Sequence, residues 1–323
     1  MNFRAHNVLL LRETLVARNA SEARLPTTAS MMSDFKVTSL YRISRLPLDP
    51  NAEVFRHYPA FKLGVTKSVR HYARLMLPLV KGLIARDPER ADWILTAPAI
   101  TAQTPAAANL LCRELCDLYA RERDGSSSAA LSLIDIRHDS ESAASIDWKD
   151  PNKSQDYAEL DFADRVSERE RSSRRMIPNA DFRARPILFV NDMCVTGAQQ
   201  QVMQRYFEHA GAACVRWLYV IVVASEIGRT MPRIEWQINF APFEDLLRMV
   251  SREQIQFTGK CVQRLMGLSV AELERVLRAF DGERRTRLLE LAVLNGFQNL
   301  DGFQEQMELV RSYSAERTAP GQT

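Results

Sequence analysis

The sequence predicts an α/β fold: a mostly parallel open sheet, interrupted by one long polar insertion and followed by a C-terminal α-helical region. Three observations predict it. Short apolar runs of strand length, 93–97, 131–136, 187–190 and 215–223, alternate with segments of helical periodicity. The run at 187–190 leads within a few residues into a helix, and strand, helix, strand at such separations implies parallel pairing by right-handed crossover. Beyond Pro232 the pattern is helical only.

The elements follow in order. Residues 1–35 carry scattered arginines and a short Val-Leu-Leu-Leu stretch, and are expected to be a poorly ordered extension. From Leu40 to Lys62, Pro47, Pro50 and Pro59 argue for extended or turn structure rather than helix. Thr66 offers a helix cap, and Val69, Tyr72, Ala73, Leu75, Met76, Leu79, Val80, Leu83 and Ile84 then recur at helical spacing. A strand at 93–97 leads through the loop Thr96 to Thr104 into a second helix at 105–118, where Pro105 suits the first turn. A strand at 131–136 precedes the insertion, about 137–185, which is polar and rich in arginine. Long insertions inside compact domains are usually functional or disordered. After the strand at 215–223, helices are expected at 255–266, 269–280, 284–295 and 300–313, with Ser269 and Glu272 forming a capping box. The chain is thus divided into the extension 1–35, an α/β domain 36–230 and a helical domain 231–323.

Composition narrows the function classes. The chain has 323 residues, 46% apolar and 26% charged, with a formal charge of +3. So small a net charge gives no argument for nucleic acid. No run approaches the roughly 18 apolar residues of a membrane span, so neither a membrane nor a specific nucleic acid is expected as partner. The five cysteines, Cys112, Cys116, Cys194, Cys214 and Cys261, show no CxxC pair or zinc spacing, and no resident metal site is expected. A reducing cytoplasm is the expected compartment. GxGxxG, a complete Walker A, HExxH and GxSxG are absent, and Thr258-Gly259-Lys260-Cys261 lacks the upstream glycine and closing hydroxyl residue of a P-loop.

The chemistry concentrates at residues 187–199, Ile-Leu-Phe-Val-Asn-Asp-Met-Cys-Val-Thr-Gly-Ala-Gln. Four apolar residues end in Asn191-Asp192, a compact turn follows at Val195-Thr196-Gly197-Ala198, and a helix begins near Gln199. A helix N-terminus has backbone N–H groups without partners and the positive end of the helix dipole, so an anion is held there by main-chain donors and the Thr196 hydroxyl. Gly197 lets the backbone come close to it. Asn191 and Asp192 lie at the carboxyl end of the strand, where ligands bind in open α/β sheets, and Asp192 can accept hydrogen bonds from ribose hydroxyls.

This stretch resembles the phosphoribosyl diphosphate (PRPP) loop of type I phosphoribosyltransferases. There, four apolar residues precede two acids, two apolar residues and a Thr-Thr-Gly-x-Thr-like turn. Ile187 to Val190, Asp192, Met193-Cys194 and Thr196-Gly197 match; Asn191 replaces the first acid, Val195 a frequent Thr or Ser, and Gln199 the last Thr. The resemblance implies a sheet of phosphoribosyltransferase type with a flexible hood formed by the insertion. It also implies that Asn191 and Asp192 meet the ribose, that Val195, Thr196, Gly197, Ala198 and Gln199 hold the 5-phosphate, and that Mg2+ arrives on the diphosphate of PRPP. Lys62, in Phe61-Lys62-Leu63-Gly64, is similar to a phosphate-contacting lysine. Arg165 of the hood and Asp192 are the expected catalytic residues, with Arg165 neutralising charge on the departing pyrophosphate. The loop Thr96 to Thr104 occupies the place of the family's pyrophosphate loop but has no Arg-Gly or Lys-Gly dipeptide. The extended hood and helical end further resemble a branch of phosphoribosyltransferase-like proteins from bacterial stress and conflict gene clusters.

The expected activity is therefore transfer of a phosphoribosyl group from PRPP to a nucleobase or related small-molecule acceptor, with pyrophosphate release, as part of nucleotide metabolism. The alternative is a non-catalytic PRPP or nucleotide sensor acting through its C-terminal helices, which are also the expected route to a homodimer or a protein partner. A third reading, a helical interaction protein with the α/β part as scaffold, requires an exposed apolar stripe on residues 246–313.

Overall fold

The computed structural model describes residues 37–315, except 47, 49–51, 88, 101–103, 123–128, 139–165, 168–169, 171–172, 175, 179 and 232–233. The expected extension 1–35, the bulk of the hood and Arg165 lie outside the described residues.

The chain is α/β, as its alternating pattern predicts. Five strands, β1 (Val37–Ile43), β2 (Asp92–Thr96), β3 (Ala130–Leu133), β6 (Pro186–Cys194) and β7 (Cys214–Val223), form one parallel sheet in the order β1-β7-β6-β2-β3. Helices α1 (Glu53–Leu63), α2 (Thr66–Ala85) and α3 (Ala107–Arg121) pack on one face, and α4 (Ala198–His209) on the other. The register of the central strand explains its two faces. Leu188 and Val190 enter the cluster of Phe61, Tyr72, Met76 and Leu111, whereas Phe189 stacks obliquely on Trp217 and Phe207, centroids 5.0 and 5.8 Å away.

Two expectations about local structure are corrected. Residues 53–63 form a helix despite Pro59. An interior proline costs about 3 kcal/mol; here Tyr58 and Phe61 are fully buried, and each large apolar side chain so buried returns ~1.5–3 kcal/mol. Thr66 is the first helical residue of α2 rather than its cap, which is Val65.

Strand boundaries also differ. β6 runs on to Cys194 because ten-residue β7 lies beside it and pairs Asn191 with Tyr219, Met193 with Ile221 and Cys194 with Val222. All nine β6 residues are buried. The run expected at 131–136 divides: β3 stays in the main sheet, while β4 (Ile136–His138) pairs antiparallel with β5 (Met176–Pro178). The two ends of the insertion are thereby joined in a short stem.

The C-terminal region contains the short helices α5 (Ser225–Thr230) and α6 (Ile234–Asn239), then α7 (Phe243–Arg252), α8 (Gly259–Met266), α9 (Val270–Ala279), α10 (Gly282–Leu294) and α11 (Gln304–Ala315). The α9 capping box is present, with the Ser269 N–H donating to Glu272 Oε2 at 3.1 Å. Helix α7 had no predicted counterpart. Helices α7 to α11 close a second apolar cluster around Leu246, Leu265, Leu277, Leu291 and Val310, and Leu63 of α1 belongs to it. The stripe on 246–313 is therefore packed inward; Val293 and Leu294 are its exposed large apolar residues among those described.

Residues 35–323 make one compact unit, and the segment after α1 joins its clusters. The N–H groups of Thr66 and Gln256 donate to the carbonyls of Gln254 and Gly64, at 2.8 and 3.0 Å. Gly64 is obligatory: its φ is +90°, and a Cβ there would lie 1.9 Å from the Gln256 carbonyl oxygen. Asn295, the C-cap of α10, donates to Thr104 Oγ1 at 2.9 Å. Among the described residues no helix is long and apolar enough to cross a membrane.

Candidate active site

The site begins with the alternation of β6. Asn191 and Asp192 are adjacent, so their side chains leave opposite faces of the sheet. Asn191 turns toward α4 and donates through Nδ2 to Gln199 Oε1 at 2.8 Å, while its Oδ1 accepts the Asp192 N–H at 2.8 Å. The residue that replaces an acid thus ties the strand to the first turn of the helix.

Between them lies the turn Val195-Thr196-Gly197. Gly197 has φ +80° and is the N-cap of α4, and a Cβ there would meet no atom within 4 Å. The glycine is required by the backbone, and the space before it is open to a ligand. No side chain caps this helix, and the Ala198 N–H reaches Thr196 Oγ1 only at 3.5 Å. On its inner side the turn is backed tightly by α5, because a Cβ at Gly228 would lie 2.1 Å from the Val195 carbonyl oxygen. Gln200, buried beneath the turn, accepts from Tyr219 Oη at 3.3 Å.

Asp192 faces the other layer. Its Oδ1 accepts the Met193 N–H at 2.7 Å and its Oδ2 pairs with Lys62 Nζ, which also reaches Glu235 Oε1 of α6 at 3.1 Å. The Lys62 and Asp192 side chains are 14% and 11% exposed. Burial alone would lower the Lys62 pKa, but the charges and hydrogen bonds of Asp192 and Glu235 outweigh it and hold the ammonium well above its usual value. Tyr58, fully buried, borders the same group. Its hydroxyl has no hydrogen-bond partner among the described residues, and its pKa is pushed well up by burial first and then by Asp192 and Glu235.

The fold therefore brings Lys62 to Asp192 across 130 positions of sequence. Arg165 lies outside the described residues, as do residues 101–103 of the loop after β2. The described part of that loop is held by Thr96 Oγ1 donating to Ile134 O at 2.7 Å and Asn109 Nδ2 donating to Pro98 O at 2.9 Å. Glu235 and Tyr58 had no signal in sequence: one sits on a six-residue helix with no clear periodicity, the other beside a proline that argued against a helix.

The arrangement suits electrostatic binding more than covalent catalysis. Burial pushes the Cys194 thiol up to about 11, so a thiolate nucleophile is not available at the end of β6. Among the described residues no group of three or more His, Cys, Asp or Glu could hold a metal ion. The open turn offers main-chain donors to an anion, and Asp192 offers a carboxylate a short step away.

The sequence model of one family, PRTase ComF-like, matches residues 35–310. Solved structures similar to this chain include a hypoxanthine-guanine phosphoribosyltransferase from Bacillus anthracis, at 8% identity and TM-score 0.28, covering 50% of this chain and 70% of that one. A hypoxanthine phosphoribosyltransferase from Trypanosoma cruzi, complexed with the product IMP, is similar at 12% identity and TM-score 0.26, covering 50% and 65%. One from Staphylococcus aureus is similar at 6% identity and TM-score 0.27, covering 47% and 64%. No curated protein matches the chain.

Proposed function

The chain belongs to the PRTase ComF-like family, and from that premise we propose that it binds PRPP at residues 191–199 and transfers the phosphoribosyl group to a nucleobase or related small-molecule acceptor. The observation that carries this reading is the end of β6: an open turn with Gly197 at φ +80° before α4, beside the Asp192 carboxylate. Val195, Thr196, Gly197, Ala198 and Gln199 hold the 5-phosphate through main-chain donors and the Thr196 hydroxyl. Asp192 accepts from the ribose hydroxyls, with Asn191 positioning Gln199.

In the reaction the C1–O bond of PRPP breaks, pyrophosphate leaves with its electron pair, and a nucleophilic nitrogen of the acceptor forms the new bond to C1. The acceptor's proton passes to solvent or to the departing pyrophosphate. The transition state is oxocarbenium-like, so positioning and charge stabilisation dominate. Mg2+ enters as part of the substrate, on the diphosphate. Lys62 exchanges part of its hold on Asp192 for the ligand's phosphate charge. On this reading Arg165 of the insertion supplies the cation that neutralises charge on the departing pyrophosphate. The compartment is cytoplasmic on this reading, and a homodimer would use the C-terminal helices.

The sensor reading is favoured by one observation: Asp192 is already paired with Lys62, and Asn191 adds no second charge. Calorimetry with PRPP and Mg2+, followed by pyrophosphate release across a panel of bases, separates the two. Base-dependent release establishes the transferase, binding without release establishes the sensor, and absence of binding overturns both.

A further inference from the structure

We propose that Lys260, in the first turn of α8, contacts the diphosphate of PRPP, so that the C-terminal helices supply the cation missing from the loop after β2; this rests on the PRPP reading above. That loop, Thr96 to Thr104, contains no lysine or arginine. The segment Thr258-Gly259-Lys260 is fastened both to α1 and to the residue that follows that loop. Thr258 Oγ1 donates to the Lys62 carbonyl at 2.7 Å, and the Gly259 N–H donates to the carbonyl of Pro105, the residue that follows the loop, at 3.1 Å. Lys260 follows directly on these two anchors, which fix the start of α8 beside Lys62 and Pro105.

Charge supports the assignment. Two carboxylates serve this part of the site, Asp192 and Glu235, and both are engaged by Lys62. Among the described residues no carboxylate lies within ion-pair distance of Lys260. Lys260 itself is exposed to solvent. Loss of hydration first, then the charge of Lys62, push its pKa down; Arg264 acts in the same direction, and Glu235 and Asp192 oppose it. Two ammonium groups held near one another with one left unpaired repel, and a dense anion between them converts that repulsion into binding. Arg264 is committed elsewhere, donating to the Ala241 carbonyl at 2.8 Å. As the C1–O bond breaks, negative charge accumulates on the leaving oxygen of pyrophosphate. Lys260 stabilises that charge by a charge-assisted hydrogen bond, with no proton transfer required.

The test is calorimetry on the full chain with three probes in Mg2+ buffer, namely PRPP, pyrophosphate and ribose 5-phosphate. In Lys260→Gln, affinity for PRPP and pyrophosphate falls about ten- to one-hundred-fold, the range for a charged hydrogen bond, while ribose 5-phosphate binds as to the wild type. Lys260→Arg retains most of the PRPP affinity and shows that loss in the Gln variant is loss of charge rather than of fold. If wild type binds PRPP and Lys260→Gln binds all three probes unchanged, or loses all three equally, the assignment is wrong and the PRPP reading stands. If wild type binds neither PRPP nor ribose 5-phosphate, both fail together.

Discussion

Asp192 carries two duties that substitution separates. Asp192→Ala removes the main partner of Lys62 and, on the proposed function, the ribose acceptor, so PRPP turnover is expected to fall about ten- to one-hundred-fold or more, measured as pyrophosphate release. Unfolding stability falls by about 2 kcal/mol in a denaturant titration, less than for a sealed buried pair because Glu235 remains with Lys62. Unchanged turnover would remove Asp192 from the site. The two lysines respond to pH with opposite sign. Lys62 binds its proton more tightly folded than unfolded, so its stabilisation is intact below the ordinary lysine value of 10.5 and is lost only as pH rises beyond that, through its higher folded value. Lys260 is lowered, so the unfolded chain holds the extra proton and stability rises with pH between its folded value and 10.5. Lys260→Gln is accordingly expected to raise the melting temperature slightly while weakening pyrophosphate binding. Gly197→Ala meets no atom but must hold φ +80°, and loses about 1–2 kcal/mol. Gly228→Ala instead drives a methyl into the Val195 carbonyl and displaces the turn, so it should lose phosphate affinity as well as stability.

Helix caps of similar strength have unequal functional weight. Thr258 caps α8 by accepting the Cys261 N–H at 3.1 Å, and the same hydroxyl donates to the Lys62 carbonyl. Ser269 caps α9 in a reciprocal box with Glu272, away from the site. Replacement of either cap costs about 1 kcal/mol, with a range of ~0.5–2. Thr258→Val is expected to weaken PRPP binding too, because it frees Lys62 from its tether, whereas Ser269→Ala changes the melting temperature alone. Equal binding losses would mean that α8 acts on the site only through global stability. The Ser269 cap was legible because it is local, four residues forming two hydrogen bonds. The second bond of Thr258 spans 196 positions and leaves no trace in the local pattern.

At the scale of the molecule, the two apolar clusters meet at α1 and the segment after it, where Leu63 enters one cluster and Phe61 the other. Thermal unfolding of the full chain is therefore expected as a single cooperative transition by calorimetry, with Asp192→Ala lowering its midpoint without splitting it. Two resolved transitions would mean that the hydrogen bonds around Gly64 do not couple the clusters. A chain ending at residue 230 loses Glu235, Thr258 and Lys260 together with the partner of Leu63, and should fail to bind PRPP even where it remains soluble.

The sequence by itself determined the parallel α/β core, the glycine turn before α4 with its resemblance to the phosphoribosyltransferases, and the helical character of the C-terminal region. Each is encoded in contiguous residues, through periodicity, turn chemistry and a thirteen-residue motif. Tertiary structure alone decided that Asn191 and Asp192 serve opposite faces of β6, and that the strand runs on to Cys194 beside a long neighbour. It also decided that residues 53–63 are helical, because burial of Tyr58 and Phe61 outweighs the local penalty of Pro59. Above all it brought Lys62 and Glu235 to Asp192 and joined the start of α8 to Lys62 through Thr258. Electrostatic contacts form between residues adjacent in space, so a site assembled from four distant segments becomes visible only once packing has placed them.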